Sequence, residues 1–252
     1  MTIDAAVYLG SWPFRPIEGT AGRLSRLMRA SRVTHALVSQ FESFFHTDPA
    51  SANERLLKSL EGKRALWAAP AINVRMPHWE HHLTALAEHP QVRAVRLAPG
   101  FHGYPVADAR PVILRAAQLG RAAIVQVRFQ DERHHPPVSN MQPAPMDDVV
   151  ALAAACPRAR VVASGARLRD MLDQAEHIQQ LRNLWMDISH LDGLACVKEA
   201  CAAVGAKRLV FSTCWPFFYA RSAFLKLEEA EIPARDREGI MGRNAEHVLT
   251  PR

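Results

Sequence analysis

The sequence predicts a single-domain (β/α)8 TIM barrel spanning residues 1–252, and three observations predict it. Eight short apolar runs recur along the chain. Amphipathic stretches of helical period lie between them. The length, 252 residues, is what one such barrel commonly fills. The apolar runs show little polar alternation, which is how parallel strands buried on both faces read. A doubly wound open sheet is the alternative, but no Gly-x-Gly-x-x-Gly follows any run, which weakens a dinucleotide site.

The elements follow in order. Residues 5–10 form the first candidate strand. Thr20 caps a helix running to residue 30, with Leu24, Leu27 and Met28 at helical spacing. Strand 35–40 precedes a helix opened by Asp48 as cap and Pro49 at the first helical position. Strand 66–73 leads to a helix over 77–87, and strand 94–98 to one over 108–119 that Gly120 stops. Strand 123–129 is followed by an irregular stretch, 130–145, with four prolines and five charged or imidazole side chains. Loops that long in compact domains are often functional, and in a barrel the loops after the strands line the active-site face. Then come helix 146–155, strand 160–164, helix 167–181, strand 184–188, helix 193–204 stopped by Gly205, strand 209–213 and helix 220–230.

The net charge of +6 is carried mostly by arginines spread along the chain, with no run of five like charges. That is a solvated basic surface, and no nucleic-acid-binding signature accompanies it. A small anionic ligand is the partner such a charge allows. The four cysteines are widely spaced and form no Cys-x-x-Cys pair, which points to reduced thiols and a cytoplasmic location. No apolar run approaches 18 residues and the N-terminus lacks a signal pattern, so neither membrane insertion nor secretion is expected.

Five segments carry a resemblance: Ile3-Asp-Ala-Ala-Val-Tyr-Leu-Gly10, Val95-Arg-Leu-Ala-Pro-Gly-Phe-His-Gly-Tyr104, Asn183-Leu-Trp-Met-Asp-Ile-Ser189, Gly205-Ala-Lys-Arg-Leu-Val-Phe-Ser-Thr-Cys-Trp-Pro-Phe217 and Ile240-Met-Gly-Arg-Asn-Ala-Glu-His-Val-Leu249. In this order and spacing the chain resembles the amidohydrolase-related (amidohydrolase 2 type) TIM-barrel hydrolases. The resemblance implies a divalent metal, held by a His-x-His pair on the first strand, later imidazoles and a carboxylate. It also implies a last-strand Asp that takes the proton of the metal-bound water. Strand alternation explains the single residue inside the pair. At those positions this chain has Ala6 and Tyr8, Gln126, Ser164 and Cys214. Alanine cannot ligate, and neutral Tyr and Gln are poor ligands. The expectation is therefore the family's fold with its metal centre dismantled, and neither metal nor cofactor.

The remaining polar residues near the rim suit an anionic ligand and general acid/base work. Arg96 and Arg128 would grip the anion. His102, in the glycine-flanked turn Pro99-Gly-Phe-His-Gly103, would be the general acid/base, and Asp131 in the long loop a second catalytic group. Cys214 is a candidate nucleophile with His190 or His102 as base, or else an inert thiol filling the space of a lost Asp. Arg133, His134 and His190 would add substrate contacts, with Tyr8 and Trp12 as walls. The leading reading is a hydrolase or carbon–carbon lyase acting without metal on a small anion. The alternative is a pseudoenzyme that binds a metabolite or scaffolds a partner. An open mouth where His102 and the arginines converge favours the first; a mouth filled by Tyr8, Trp12 and Phe217 favours the second. The resemblance also suggests a homodimer. His78, His81 and His82 resemble a helical metal cluster, since residues four apart share a face, but Pro-His-Trp-Glu-His-His reads as the exposed start of an outer helix, far from the mouth.

Overall fold

A computed structural model describes residues 1–130 and 141–251 of the chain. Its strands are β1 (Ile3–Trp12), β2 (Ile17–Gly19), β3 (His35–Gln40), β4 (Leu66–Ala68), β5 (Ala94–Leu97), β6 (Ala122–Gln126), β7 (Val161–Ser164), β8 (Leu184–Asp187) and β9 (Leu209–Val210). They form two sheets, in the orders β2-β1-β3-β4 and β5-β6-β7-β8-β9. Every pairing is parallel except the β1–β2 hairpin.

The two sheets meet at both edges. On one side Ala71 bridges Arg96, with Arg96 N donating to Pro70 O at 2.8 Å and Ile72 N to Arg96 O at 2.9 Å. On the other, Val7 bridges Trp215, and three backbone bonds join the first strand to the last: Ala5 N to Phe211 O, Cys214 N to Ala6 O, and Tyr8 N to Trp215 O. The eight parallel strands thus form the predicted barrel. A buried carboxylate clamps this second seam. Asp4 accepts from Thr213 Oγ1 at 2.6 Å, from Thr213 N at 3.0 Å and from Ala6 N at 3.3 Å. Burial pushes its pKa up to about 7, against the pull of those bonds.

Helices occupy the predicted places with local changes. Thr20 Oγ1 accepts from Arg23 N, capping Ala21–Ala30 as expected. Asp48 Oδ1 accepts from Ala50 N, so it acts one residue before the cap of Ala50–Leu60, where Pro49 sits. The helix predicted over 167–181 is two pieces, Leu168–Asp173 and Ala175–Gln180. The strand predicted over 66–73 pairs regularly only to Ala68, because Pro70 has no N–H to give to a ladder. Among the described residues no helix is long and apolar enough to cross a membrane.

Inside the barrel, side chains stack in layers, as alternation requires. Leu37, Ala94, Ile124, Val162, Trp185 and Val210 share one buried cluster with Ile3 and Ala5, covered by Ala245, Val248 and Leu249 of the last helix, Asn244–Leu249. Two residues further along the same strands stand Ser39, Arg96, Gln126, Ser164 and Asp187, all buried. A register shift in β1 between Asp4 and Val7 changes the alternation there, so Ile3 and Ala5 join the lower cluster while Ala6 and Tyr8 join the upper one.

Candidate functional site

The polar layer is organised by Arg96, whose side chain is completely buried. Its Nε donates to Ser39 Oγ at 2.8 Å and its Nη1 to Gln126 Oε1 at 2.6 Å. The guanidinium lies 5.2 Å from the centroid of the Tyr8 ring. Tyr8 gives its hydroxyl proton to the same Gln126 Oε1 at 3.0 Å, while Gln126 Nε2 donates to Arg128 O at 2.7 Å. Burial holds the Tyr8 phenol far above its ordinary pKa, so it is neutral, although the Arg96 charge pulls the other way. Among the described residues no carboxylate reaches ion-pairing distance of Arg96, and its Nη2 has no acceptor.

A second group surrounds Asp187 at the end of β8. Its carboxylate accepts from Ser164 Oγ and Ser189 Oγ, each at 2.6 Å, and from Ser189 N at 3.0 Å. Ser189 Oγ in turn meets His190 Nδ1 at 2.8 Å, and His190 Nε2 meets Phe129 O at 3.0 Å. Burial lowers the His190 pKa, opposed by the Asp187 charge. Lys226 Nζ donates to Ser189 O at 2.8 Å. Cys214 is buried, with φ at +54°, a left-handed conformation that is costly for a residue with a Cβ. Burial and the Asp187 charge push its thiol well above the ordinary pKa, despite Arg96.

Above the polar layer the mouth is packed with aromatic rings. Trp12 is 2% exposed and meets Phe45 at 5.1 Å, Phe41 and Phe129 each at 5.4 Å and Phe217 at 4.9 Å between centroids. Tyr8 stacks on Phe41 at 5.0 Å. Strand β1 and the segments that follow β3, β6 and β9 each supply a ring, so the plug ties these parts of the barrel mouth together. Rings at these edge-to-face separations add about 0.5–1.5 kcal/mol per pair beyond area burial.

Of the residues expected at the site, the structure brings together Tyr8, Arg96 and Trp12 at the centre, with Cys214 beside them in the same cluster as Tyr8 and Trp12. His190 belongs to the Asp187 chain. Arg128 does not join Arg96: its Nη1 pairs with Asp170 Oδ2 at 3.0 Å. His102 does not meet the arginines either. It ends the short helix Pro99–His102, where Nε2 donates to Ser43 O at 3.0 Å, Nδ1 is buried without a partner, and burial lowers the pKa. Asp131, Arg133 and His134 lie outside the described residues. Sequence reasoning missed the hub role of Gln126, its link to Ser39 through Arg96, and Asp187. The signal was available: each stands two residues past an apolar position of its strand.

A sequence profile of the Amidohydrolase family (Amidohydro_2) matches residues 12–250. No match was found among curated proteins. Among solved structures, the chain is similar to 5-carboxyvanillate decarboxylase from Sphingomonas paucimobilis, at 12% identity and a TM-score of 0.77 over 100% of this chain and 99% of that one. It is also similar to a zinc-bound amidohydrolase from Burkholderia multivorans, at 15% identity and a TM-score of 0.74 over 100% of both chains. A third similar structure is 2,6-dihydroxybenzoate decarboxylase from Rhizobium, at 15% identity and a TM-score of 0.74 over 99% of each chain. At such identities these structures speak to the fold, and the profile match across nearly the whole length speaks to descent: the chain belongs to the amidohydrolase family.

Proposed function

We propose that the barrel centre is a metal-independent site for a small aromatic carboxylate held by Arg96, and that the chain acts on it as a carbon–carbon lyase. The observation that carries this reading is the buried Arg96 guanidinium, bonded to the very side chain, Gln126, that stands at a metal-ligand position of the family. The donors there do not fit a divalent ion. Ala6 offers no ligand atom, Tyr8 spends its proton on Gln126, Gln126 turns its oxygen to a cation, and Cys214 stays a thiol. An ion placed among them would also face a fixed positive charge.

A buried cation without a counter-charge costs several kcal/mol, which a ligand carboxylate on Nη2 would offset. The rings above supply faces for an aromatic ligand. Two of the similar structures are decarboxylases named for aromatic acids. Decarboxylation consumes no water, which suits a site beneath a plug of rings. The bond from ring carbon to carboxylate breaks, its electron pair stays on the ring carbon, carbon dioxide leaves, and that carbon takes a proton that the Asp187–Ser189–His190 chain would relay from solvent. Arg96 keeps the anion-gripping role expected of it, while Arg128, paired with Asp170, and His102, bonded to Ser43 O, take no part in this reading.

The aromatic plug supports a second reading, a pseudoenzyme that binds without turnover, since a ligand has to displace Trp12 and Phe217 to enter. Calorimetry with chelator-treated protein and a panel of benzoates, with carbon dioxide release followed in parallel, tests both. Binding that weakens roughly tenfold or more in Arg96→Met supports the site. No saturable binding by any benzoate, or activity that appears only on adding metal, overturns it. Binding without carbon dioxide release selects the pseudoenzyme.

A further inference from the structure

Outside the barrel, two elements far apart in sequence bring three metal-binding side chains together. His78 caps the helix Trp79–Glu88, and His82 lies one turn along it. Residues four apart share a helix edge, and the two imidazoles are 4.8 Å apart between centroids, nearly perpendicular. Asp48 approaches from the start of helix Ala50–Leu60, with Oδ2 3.2 Å from His78 Nε2. One donor atom from each of the three lies within 4.8 Å of the others, and it is the one such group among the described residues.

We infer that Asp48, His78 and His82 form a site for a first-row transition metal, zinc or nickel, that clips the two helices together on the outer face of the barrel. The chemistry of the set is the first reason. Two imidazoles and one carboxylate suit borderline divalent ions, and three protein ligands leave a fourth position for water. Geometry is the second. Tetrahedral zinc with bonds near 2.0–2.1 Å holds its ligand atoms about 3.3 Å apart. Asp48 and His78 already stand at that spacing, and His82 presents a ring nitrogen within 4.8 Å of both. Preorganisation is the third. Asp48 Oδ1 is fixed by Ala50 N at 2.9 Å, which leaves Oδ2 aimed at the imidazoles.

The surroundings give the ion something to do. Below the cluster the same two helices are parted by a cleft of about 260 Å³, lined by Asn53, Glu54, Leu57, His82 and Leu86. A metal would join them at the end of that cleft, where side-chain packing is incomplete. The site is independent of the barrel centre: its ligands hang on the outer helices, and Arg96 takes no part.

Titration of chelator-treated full-length protein with zinc, and separately with nickel, tests the inference. The expected result is one equivalent bound near neutral pH, with a rise in thermal midpoint. His78→Ala and His82→Ala should each weaken binding roughly tenfold or more and remove the midpoint rise. His81→Ala should change neither. Absence of saturable binding, or equal affinity in wild type, His78→Ala and His82→Ala, overturns the inference. Because these substitutions sit on exposed or half-buried positions, they leave the fold intact for the comparison.

Discussion

Arg96 on β5 donates to the side-chain oxygen of Gln126 on β6 across 2.6 Å, and Tyr8 donates to that same oxygen from β1. One amide oxygen thus serves a cation and a phenol in a buried layer. The pairing is fixed by register: Arg96 lies beside Ile124, and Gln126 follows two residues later on the same face.

That arrangement makes removal of Gln126 worse than removal of Arg96. Gln126→Leu strands both the Tyr8 hydroxyl and Arg96 Nη1, for an expected loss of roughly 3–5 kcal/mol. Arg96→Met keeps the Tyr8–Gln126 bond and removes a buried charge, for a change of about 1–2 kcal/mol in either direction. Denaturant unfolding of both variants measures the difference; equal losses would show that Gln126 is not the hub.

Asp4 makes stability depend on pH. Its folded pKa, about 7, is raised above the ordinary 3.8, so the fold prefers the neutral carboxyl. The contribution is fully present below about pH 4 and is lost as pH rises through 7. The size is on the order of 4 kcal/mol. Asp4→Asn keeps a neutral group at the Thr213 clamp, so its unfolding free energy should lack this slope. A variant whose stability curve between pH 4 and 8 parallels wild type would be incompatible with a raised Asp4 pKa.

Cys214 should be chemically quiet. Its burial and raised pKa deny it thiolate character near neutral pH. In native protein treated with a thiol reagent, half-buried Cys201, itself pushed up to about 11, should still label before Cys214. Peptide mapping of the labelled protein reads the order. Faster labelling of Cys214 would restore its candidacy as a nucleophile.

Trp12→Ala removes the centre of the aromatic plug and leaves its neighbours around a void. A loss of about 3–5 kcal/mol is expected by urea unfolding. A loss under about 1 kcal/mol would mean that the rings do not hold the strand ends together.

The barrel was legible because strands buried on both faces write continuous apolar runs, as 122–125 and 161–163 do. The site was legible position by position and not as a network. Ala6, Tyr8, Gln126, Ser164 and Cys214 could be marked as altered ligand positions, yet nothing in them said that Arg96 would bond to one and lie against another. His102 illustrates the opposite failure. Its glycine-flanked turn suggested a side chain in the mouth, but the turn is a short helix ended by Gly103 at φ +68°, and that geometry carries the ring to Ser43 O. Phe41 and Phe44 follow β3 and Phe129 follows β6, and neither segment by itself shows that these rings meet around Tyr8 and Trp12. The β2 hairpin was missed because three residues carry no period.

The Asp4–Thr213 clamp spans 209 positions of the chain. During synthesis the edge of the first strand that β2 does not cover therefore waits until the last barrel strand, β9, has left the ribosome. An open strand edge is a template for wrong partners, and β1 must survive that interval. The ladder that finally covers it also takes Asp4 out of water, and near neutral pH that step captures a proton. With the Asp4 carboxyl raised to about 7, closure of the ring should take up part of a proton near neutral pH, and the closed seam should be favoured as the medium becomes more acidic.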